Sequence, residues 1–151
     1  MKRILVIITT AFTATGGLAS VMLNYYRSLD KKGLQIDFAS TNTITPALND
    51  EIQKNGSKYY QLPKRKNIIE YWKAVKCLSR NYDVVHLHAN SSTAVIELSA
   101  AKAAGVVKRI HHNHTSKTQH PVINALLHPF FMHSYTDAIA CSQLAGDWLF
   151  G

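Results

Sequence analysis

The chain has 151 residues, which fits one domain with a substantial core, and its 46% hydrophobic content excludes a disordered segment. Only two cysteines occur, Cys77 and Cys141, far apart; that excludes a disulfide framework and fits a reducing, cytoplasmic setting. Lys and Arg outnumber Asp and Glu by 17 to 9, a net charge of +8, which points to phosphate-bearing partners: nucleotides, nucleic acid or an anionic membrane surface.

Met1-Lys2-Arg3 followed by an apolar run has the look of a signal peptide, but five apolar residues before Thr9-Thr10 are too few. A first strand over residues 4–9 explains the run better. No stretch approaches the roughly 20 apolar residues of a membrane span. Residues 10–17 form a small-residue loop ending in Gly16-Gly17. Leu18, Val21, Met22, Tyr25 and Leu29 then recur at helical spacing, and Lys31-Lys32-Gly33 closes that helix. Residues 35–40 read as a second strand. Thr45-Pro46 makes an N-cap and N1 pair for a helix that Gly56 ends. A short strand over 58–62 and a helix over 67–81 follow. The fourth strand covers 83–88, an alanine-rich helix 92–104, and the fifth strand 106–112. A helix over 120–135 carries Pro129, which should kink or split it. A sixth strand over 137–141 leads into a helix from 143. The alternation predicts right-handed βαβ units: an α/β, Rossmann-like doubly wound parallel sheet of about six strands with helices on both faces. The last helix has barely begun at Gly151, so residues 1–151 are expected to be one domain of a longer protein.

The most informative stretch is Tyr82-Asp83-Val84-Val85-His86-Leu87-His88-Ala89-Asn90-Ser91-Ser92. Its apolar strand suits burial on both faces of a parallel sheet. His86 and His88 point to one face and Leu87 to the other. Asn90, Ser91 and Ser92 offer N-cap side chains for the next helix. His88 thus stands where a strand hands over to a helix, the edge where open α/β sheets bind ligands and where helix N–H groups favour anions. His86 reads as a hydrogen-bonded core histidine, and His88 as the ligand-facing one, outside the core.

Gly16-Gly17 would let a diphosphate approach the backbone, although the loop is not G-x-G-x-x-G. His111-His112-Asn113-His114 ends the next strand, so two strand ends can bring histidines into one crevice. Imidazoles from two strands suit zinc. No carboxylate cluster accompanies them, and Asp83 lies at the wrong end of its strand, so no metal is expected. Lys64-Arg65-Lys66 precedes an amphipathic helix with Ile68, Tyr71, Trp72, Val75 and Leu78 on one face and Lys73, Lys76 and Arg80 on the opposite one. This is either a solvated face or a contact with anionic lipid. No nucleic-acid-binding motif is present, so a nucleic-acid partner is not expected.

Together the Gly16-Gly17 loop, residues 83–88, the His-Asn-His-Thr-Ser run ending at Ser116, and residues 137–151 resemble the amino-terminal half of a GT-B glycosyltransferase. The likeness is to the family-four retaining enzymes of the capsule and exopolysaccharide type. It implies a second Rossmann domain that holds most of the nucleotide-sugar donor, expected to be a UDP-sugar, and carries an E-x7-E motif absent here. This domain would face the saccharide acceptor, often lipid-linked. The glycine loop would approach the donor diphosphate, and His88 would reach the donor sugar near the reaction centre. Asn90, His114, Thr115 and Ser116 would line the same cleft. The resemblance implies a reaction without metal or cofactor, at the cytoplasmic face of the membrane. It also implies that this half alone is inactive. Two other readings stand beside it: a histidine-rich metal-dependent hydrolase, and a non-catalytic Rossmann-like binding module.

Overall fold

The computed structural model describes residues 1–10, 12 and 17–151. Six strands form one parallel sheet: β1 (Lys2–Ile8), β2 (Leu34–Ser40), β3 (Tyr59–Gln61), β4 (Val84–His88), β5 (Lys108–Asn113) and β6 (Asp137–Ala140). The helices are α1 (Gly17–Ser28), α2 (Pro46–Lys54), α3 (Ile68–Ser79), α4 (Val95–Ala103), α5 (Pro121–Met132) and α6 (Gln143–Phe150). The strand order is β3-β2-β1-β4-β5-β6. This is the expected doubly wound sheet. The order reverses between β1 and β4, and their carboxyl ends lie side by side, Ile8 opposite His88.

Local chemistry sets the element ends. Thr45 Oγ1 accepts the Leu48 N–H at 3.3 Å and Pro46 occupies the first turn of α2. Gly33, Gly56 and Gly105 sit at positive φ where α1, α2 and α4 give way to the next strand, a conformation that costs glycine little. Pro129 lies inside α5 without ending it: the helix continues to Met132, so the expected break is not there. The expected helix over 92–104 begins instead as a 3-10 turn, Ser92–Ala94, before α4.

Each face of the sheet has its own core. On one, Val6, Ile8, Ile36 and Phe38 pack under α1 and α2. On the other, Leu5, Ile7, Val85 and Leu87 pack under α3, α4, α5 and α6, with Tyr71, Leu98, Phe131 and Leu149 as the large buried anchors. The final helix is part of this core. Leu149 is fully buried, and its carbonyl accepts from His128 Nε2 at 2.9 Å. Ser142 Oγ caps the helix on the Ala145 N–H.

Candidate active site at the β1–β4 switch point

His88 ends β4 at the point where the strand order reverses, the position at which open α/β sheets bind ligands. Its backbone carbonyl accepts both the N–H and the Oγ1–H of Thr9, each at 3.1 Å, which ties the ends of β1 and β4 together. The ring of His88 lies 2.9 Å, Nδ1 to Nε2, from His114 beyond the end of β5. His86 and His112 complete a stack, with His112 4.2 Å from His114 and His86 4.3 Å from His88 between ring centroids. The strand-end convergence expected from sequence is therefore present.

The roles within the pair differ from expectation. His88 is only 4% exposed, so it lies in the interior rather than outside it, covered by the rings of His112 and His114. His86 is the partly exposed member, and its buried Nε2 has no hydrogen-bond partner among the described residues, so the picture of a hydrogen-bonded core histidine is corrected. His88 Nε2 is likewise buried and unpartnered among them. Burial, followed by the neighbouring imidazoles His86, His112 and His114, holds the His88 pKa well below its ordinary value, and the ring is neutral near pH 7. Burial first and neighbouring histidines second also press His86 to about 4 and His114 to about 4.

The other expected cleft residues are placed as follows. Gly17 opens α1 with empty space where a side chain would project; Gly16 lies outside the described residues. Asn90 is half-buried, with an unpartnered Oδ1 among the described residues. Thr115 and Ser116 are half-buried in the loop after β5, and the Thr115 carbonyl accepts from Asn113 Nδ2 at 2.7 Å. The start of the helix after β4 is less free than expected. The Ser92 N–H already donates to Asn124 Oδ1 at 2.7 Å, and Ser91 makes no side-chain cap bond.

Of the expected membrane-facing cations, Lys64, Lys66, Lys73 and Arg80 are exposed. Lys76 is half-buried, its Nζ 5.1 Å above the Trp72 ring. Arg65 turns inward: it donates to both carboxylate oxygens of fully buried Glu97, at 2.8 and 3.1 Å, and to the Thr93 carbonyl at 2.8 Å. The Tyr71 hydroxyl donates to the same carboxylate at 2.9 Å. Arg65 therefore belongs to a buried clamp between the loop before α3 and the start of α4. Ile68, expected on the inward face of α3, is 55% exposed, and Ile69 beside it 73%.

Sequence reasoning missed this clamp and a second one. Asp37, inside β2, is 1% exposed and accepts from the Tyr82 hydroxyl and the Lys58 N–H, both at 2.7 Å, and from Gln35 Nε2 at 2.8 Å. A carboxylate between Ile36 and Phe38 in the middle of a strand was the available signal. Asn113 was missed as well: its amide donates to the Thr115 and Ala145 carbonyls, each at 2.7 Å, and joins the end of β5 to α6.

Comparison with known proteins agrees with this architecture. The backbone superposes on the crystal structure of MurG from Acinetobacter baumannii with a TM-score of 0.62 over 94% of this chain and 41% of that one; at 15% identity the likeness is one of fold. EpsF of Bacillus subtilis (strain 168), a protein named as a glycosyltransferase, is 28% identical over 90% of this chain. The chain spans 38% of the length of EpsF. Residues 15–150 match the model of Glycosyltransferase Family 4, and since that match takes in nearly the whole chain, the protein belongs to glycosyltransferase family 4.

Proposed function

We propose that the chain is the amino-terminal, acceptor-side half of a retaining hexosyltransferase that moves a sugar from a nucleotide donor, of the UDP-sugar class, to a saccharide acceptor. The observation that carries this reading is His88: a neutral imidazole at the switch point, its ring fixed by His114 and its Nε2 unpartnered among the described residues. Transfer places positive charge on the sugar ring and negative charge on the departing diphosphate. A fixed neutral imidazole can hydrogen-bond a sugar hydroxyl and hold the ring in a reactive orientation. Backbone N–H groups near the bare Gly17 surface at the start of α1 would stabilise the diphosphate. Asn90 Oδ1, Thr115 and Ser116 would contribute to the same wall. The transfer needs no metal or cofactor. The nucleotide pocket and the paired-glutamate motif would belong to a second Rossmann domain.

The acceptor is expected to be lipid-linked and the product a surface polysaccharide, with the enzyme held at the cytoplasmic face of the membrane. Among the described residues no helix is long and apolar enough to cross a membrane. The exposed Ile68-Ile69 pair at the start of α3, set among Lys64, Lys66 and Lys73, fits insertion into an anionic leaflet. Each lysine near the surface contributes about 1 kcal/mol. Reversing Lys64, Lys66 and Lys73 to Glu should abolish sedimentation with phosphatidylglycerol vesicles at low salt; undiminished sedimentation would leave α3 as a solvated surface.

The test of the transferase reading is an assay of this chain, alone and joined to the remainder of its protein, with a panel of nucleotide sugars and lipid-linked saccharides. Transfer should require the joined form, because an open cleft loses the orientation that accounts for much of the barrier reduction. Transfer by the chain alone, or micromolar UDP binding to it, would overturn the half-enzyme reading.

A further inference from the structure

His86 and His88 occupy alternate positions of β4, and His112 lies opposite His88 in the register of β5. Their rings share one face of the sheet. One ring nitrogen from each lies within 4.8 Å of the other two. Among the described residues, His86 Nε2, His88 Nε2 and His112 Nδ1 are buried and have no hydrogen-bond partner. Three neighbouring imidazoles from two rigid strands, each with a buried nitrogen that no hydrogen bond among the described residues satisfies, are an arrangement that asks for a ligand.

The geometry points to a site for a borderline divalent cation of the Zn²⁺ class, which we propose is held by His86, His88 and His112. The donor set selects the ion: three imidazoles suit Zn²⁺, whereas Mg²⁺ and Ca²⁺ demand oxygen ligands. A tetrahedral ion with Zn–N bonds of about 2.0–2.1 Å holds its nitrogens roughly 3.3 Å apart. The nitrogens therefore need to close by roughly 1.5 Å at most from their 4.8 Å span, and the near-parallel rings of His86 and His112 must turn out of their stack so that their in-plane lone pairs meet at the ion. His114 is the supporting residue. When His88 Nδ1–H donates to His114 Nε2, the lone pair on His88 Nε2 is free for the ion, the orienting contact that metal-bound histidines commonly have. A cavity of about 240 Å³ between α1 and the sheet, lined by these three rings with Met22 and Tyr26, leaves room for water to complete the coordination.

The two tautomers of His88 exclude each other's use. The opposite tautomer carries the proton on Nε2 and donates to a sugar hydroxyl, so a bound cation removes that donor; this consequence rests on the transferase reading above. The binding itself does not, and its test contains no sugar. The untagged 151-residue chain, stripped with a chelator, is titrated with ZnCl₂ alone and its zinc shell is read by X-ray absorption. The expected result is one equivalent of zinc in a shell of three imidazoles and water at about 2.0–2.1 Å. His86→Phe and His112→Phe, which keep an aromatic ring in the stack, should each weaken binding about a hundredfold, at least matching the cost of losing a supporting residue. His120→Ala, at the exposed start of α5, should leave it unchanged. No stoichiometric uptake, sulfur in the shell from exposed Cys77 or Cys141, or full affinity in both Phe variants would overturn the site. Should a Phe variant fail to fold, the spectrum of the unmodified chain decides.

Discussion

The two faces of the sheet carry the same alternating strands to different ends. Under α3–α6 the inward residues of β1 and β4 are Leu5, Ile7, Val85 and Leu87, and the main ionic group there is Glu97, paired with Arg65 and hydrogen-bonded by the Tyr71 hydroxyl. On the other face α1 and α2 cover β1 and β2, while β4 and β5 present His86, His88 and His112, with nitrogens left unpartnered among the described residues. One face pairs its buried carboxylate with a cation and so serves stability. The other retains unsatisfied donors and acceptors, the state a site needs before its ligand arrives.

Breaking the ion pair of the first face should have the largest effect. Glu97→Ala leaves the Arg65 guanidinium and the Tyr71 hydroxyl without their shared partner, and should cost about 4 kcal/mol in urea denaturation, the range for breaking a buried ion pair. A loss below about 1 kcal/mol, the value of an exposed pair, would mean that solvent reaches the clamp.

His88→Ala on the other face should act on rate. On the proposed transferase reading, kcat of the chain joined to the remainder of its protein should fall about a hundredfold, roughly 3 kcal/mol of barrier, while the circular dichroism spectrum keeps its α/β form. Unchanged turnover would remove His88 from the reacting centre.

Acid tests the two faces together. Burial holds His86 at about 4 and His111 at about 3, both below the ordinary 6.5. A histidine depressed in the folded state contributes stability that is complete above its unfolded pKa and is lost as pH falls toward the folded value. His86 and His111 alone should make the chain roughly 3 kcal/mol less stable at about pH 5.5 than at about pH 7.5, and the depressed His88 and His114 add to the loss in the same direction, read from urea midpoints in chelator-containing buffer. A flat profile across that window would show these rings to be solvated.

His111 gives the smallest and sharpest test. It lies on the face of the Glu97 clamp as the exception there, fully buried with both ring nitrogens unpartnered among the described residues, in T-shaped contact with Phe131 at 4.9 Å and Phe150 at 5.7 Å. His111→Phe should stabilise the chain by about 1 kcal/mol and lessen its acid lability, because a buried polar group without a partner is replaced by an apolar one of similar shape. Destabilisation would indicate that the imidazole has a partner the ring packing conceals.

Much of this was legible in the sequence because it is local. Thr45-Pro46 and the glycines at 33, 56 and 105 mark element ends through their own backbone chemistry, and the apolar runs at β1 and β4 announce a buried parallel sheet. The meeting of His88 with His114 was also accessible, since consecutive parallel strands place their carboxyl ends together. What escaped was set by distant partners. Arg65 looks like a surface cation until Glu97, 32 residues later, is known to be buried beside it. His88 looks exposed at a strand end until the rings of His112 and His114 are placed over it. Pro129 forfeits one hydrogen bond and crowds the Ala125 carbonyl one turn back, yet the helix runs past it to Met132, where fully buried Phe131 anchors the last turn.

The position of β1 between β2 and β4 sets an order of events during synthesis. As the ribosome delivers the chain, β1 can pair with β2 almost at once, but its other edge waits for β4, whose partner residues lie about 80 positions away: Ile4 meets Val84 and Ile8 meets His88. At roughly 5–20 residues per second, the interval between the end of β2 and the arrival of β4 is on the order of several seconds. Throughout it the hydrogen-bonding edge of Ile4-Leu5-Val6-Ile7-Ile8 stands open to strands of neighbouring chains. Lys2 and Arg3, the exposed start of that strand, then act as electrostatic gatekeepers for the nascent edge, a role that ends once the sheet closes.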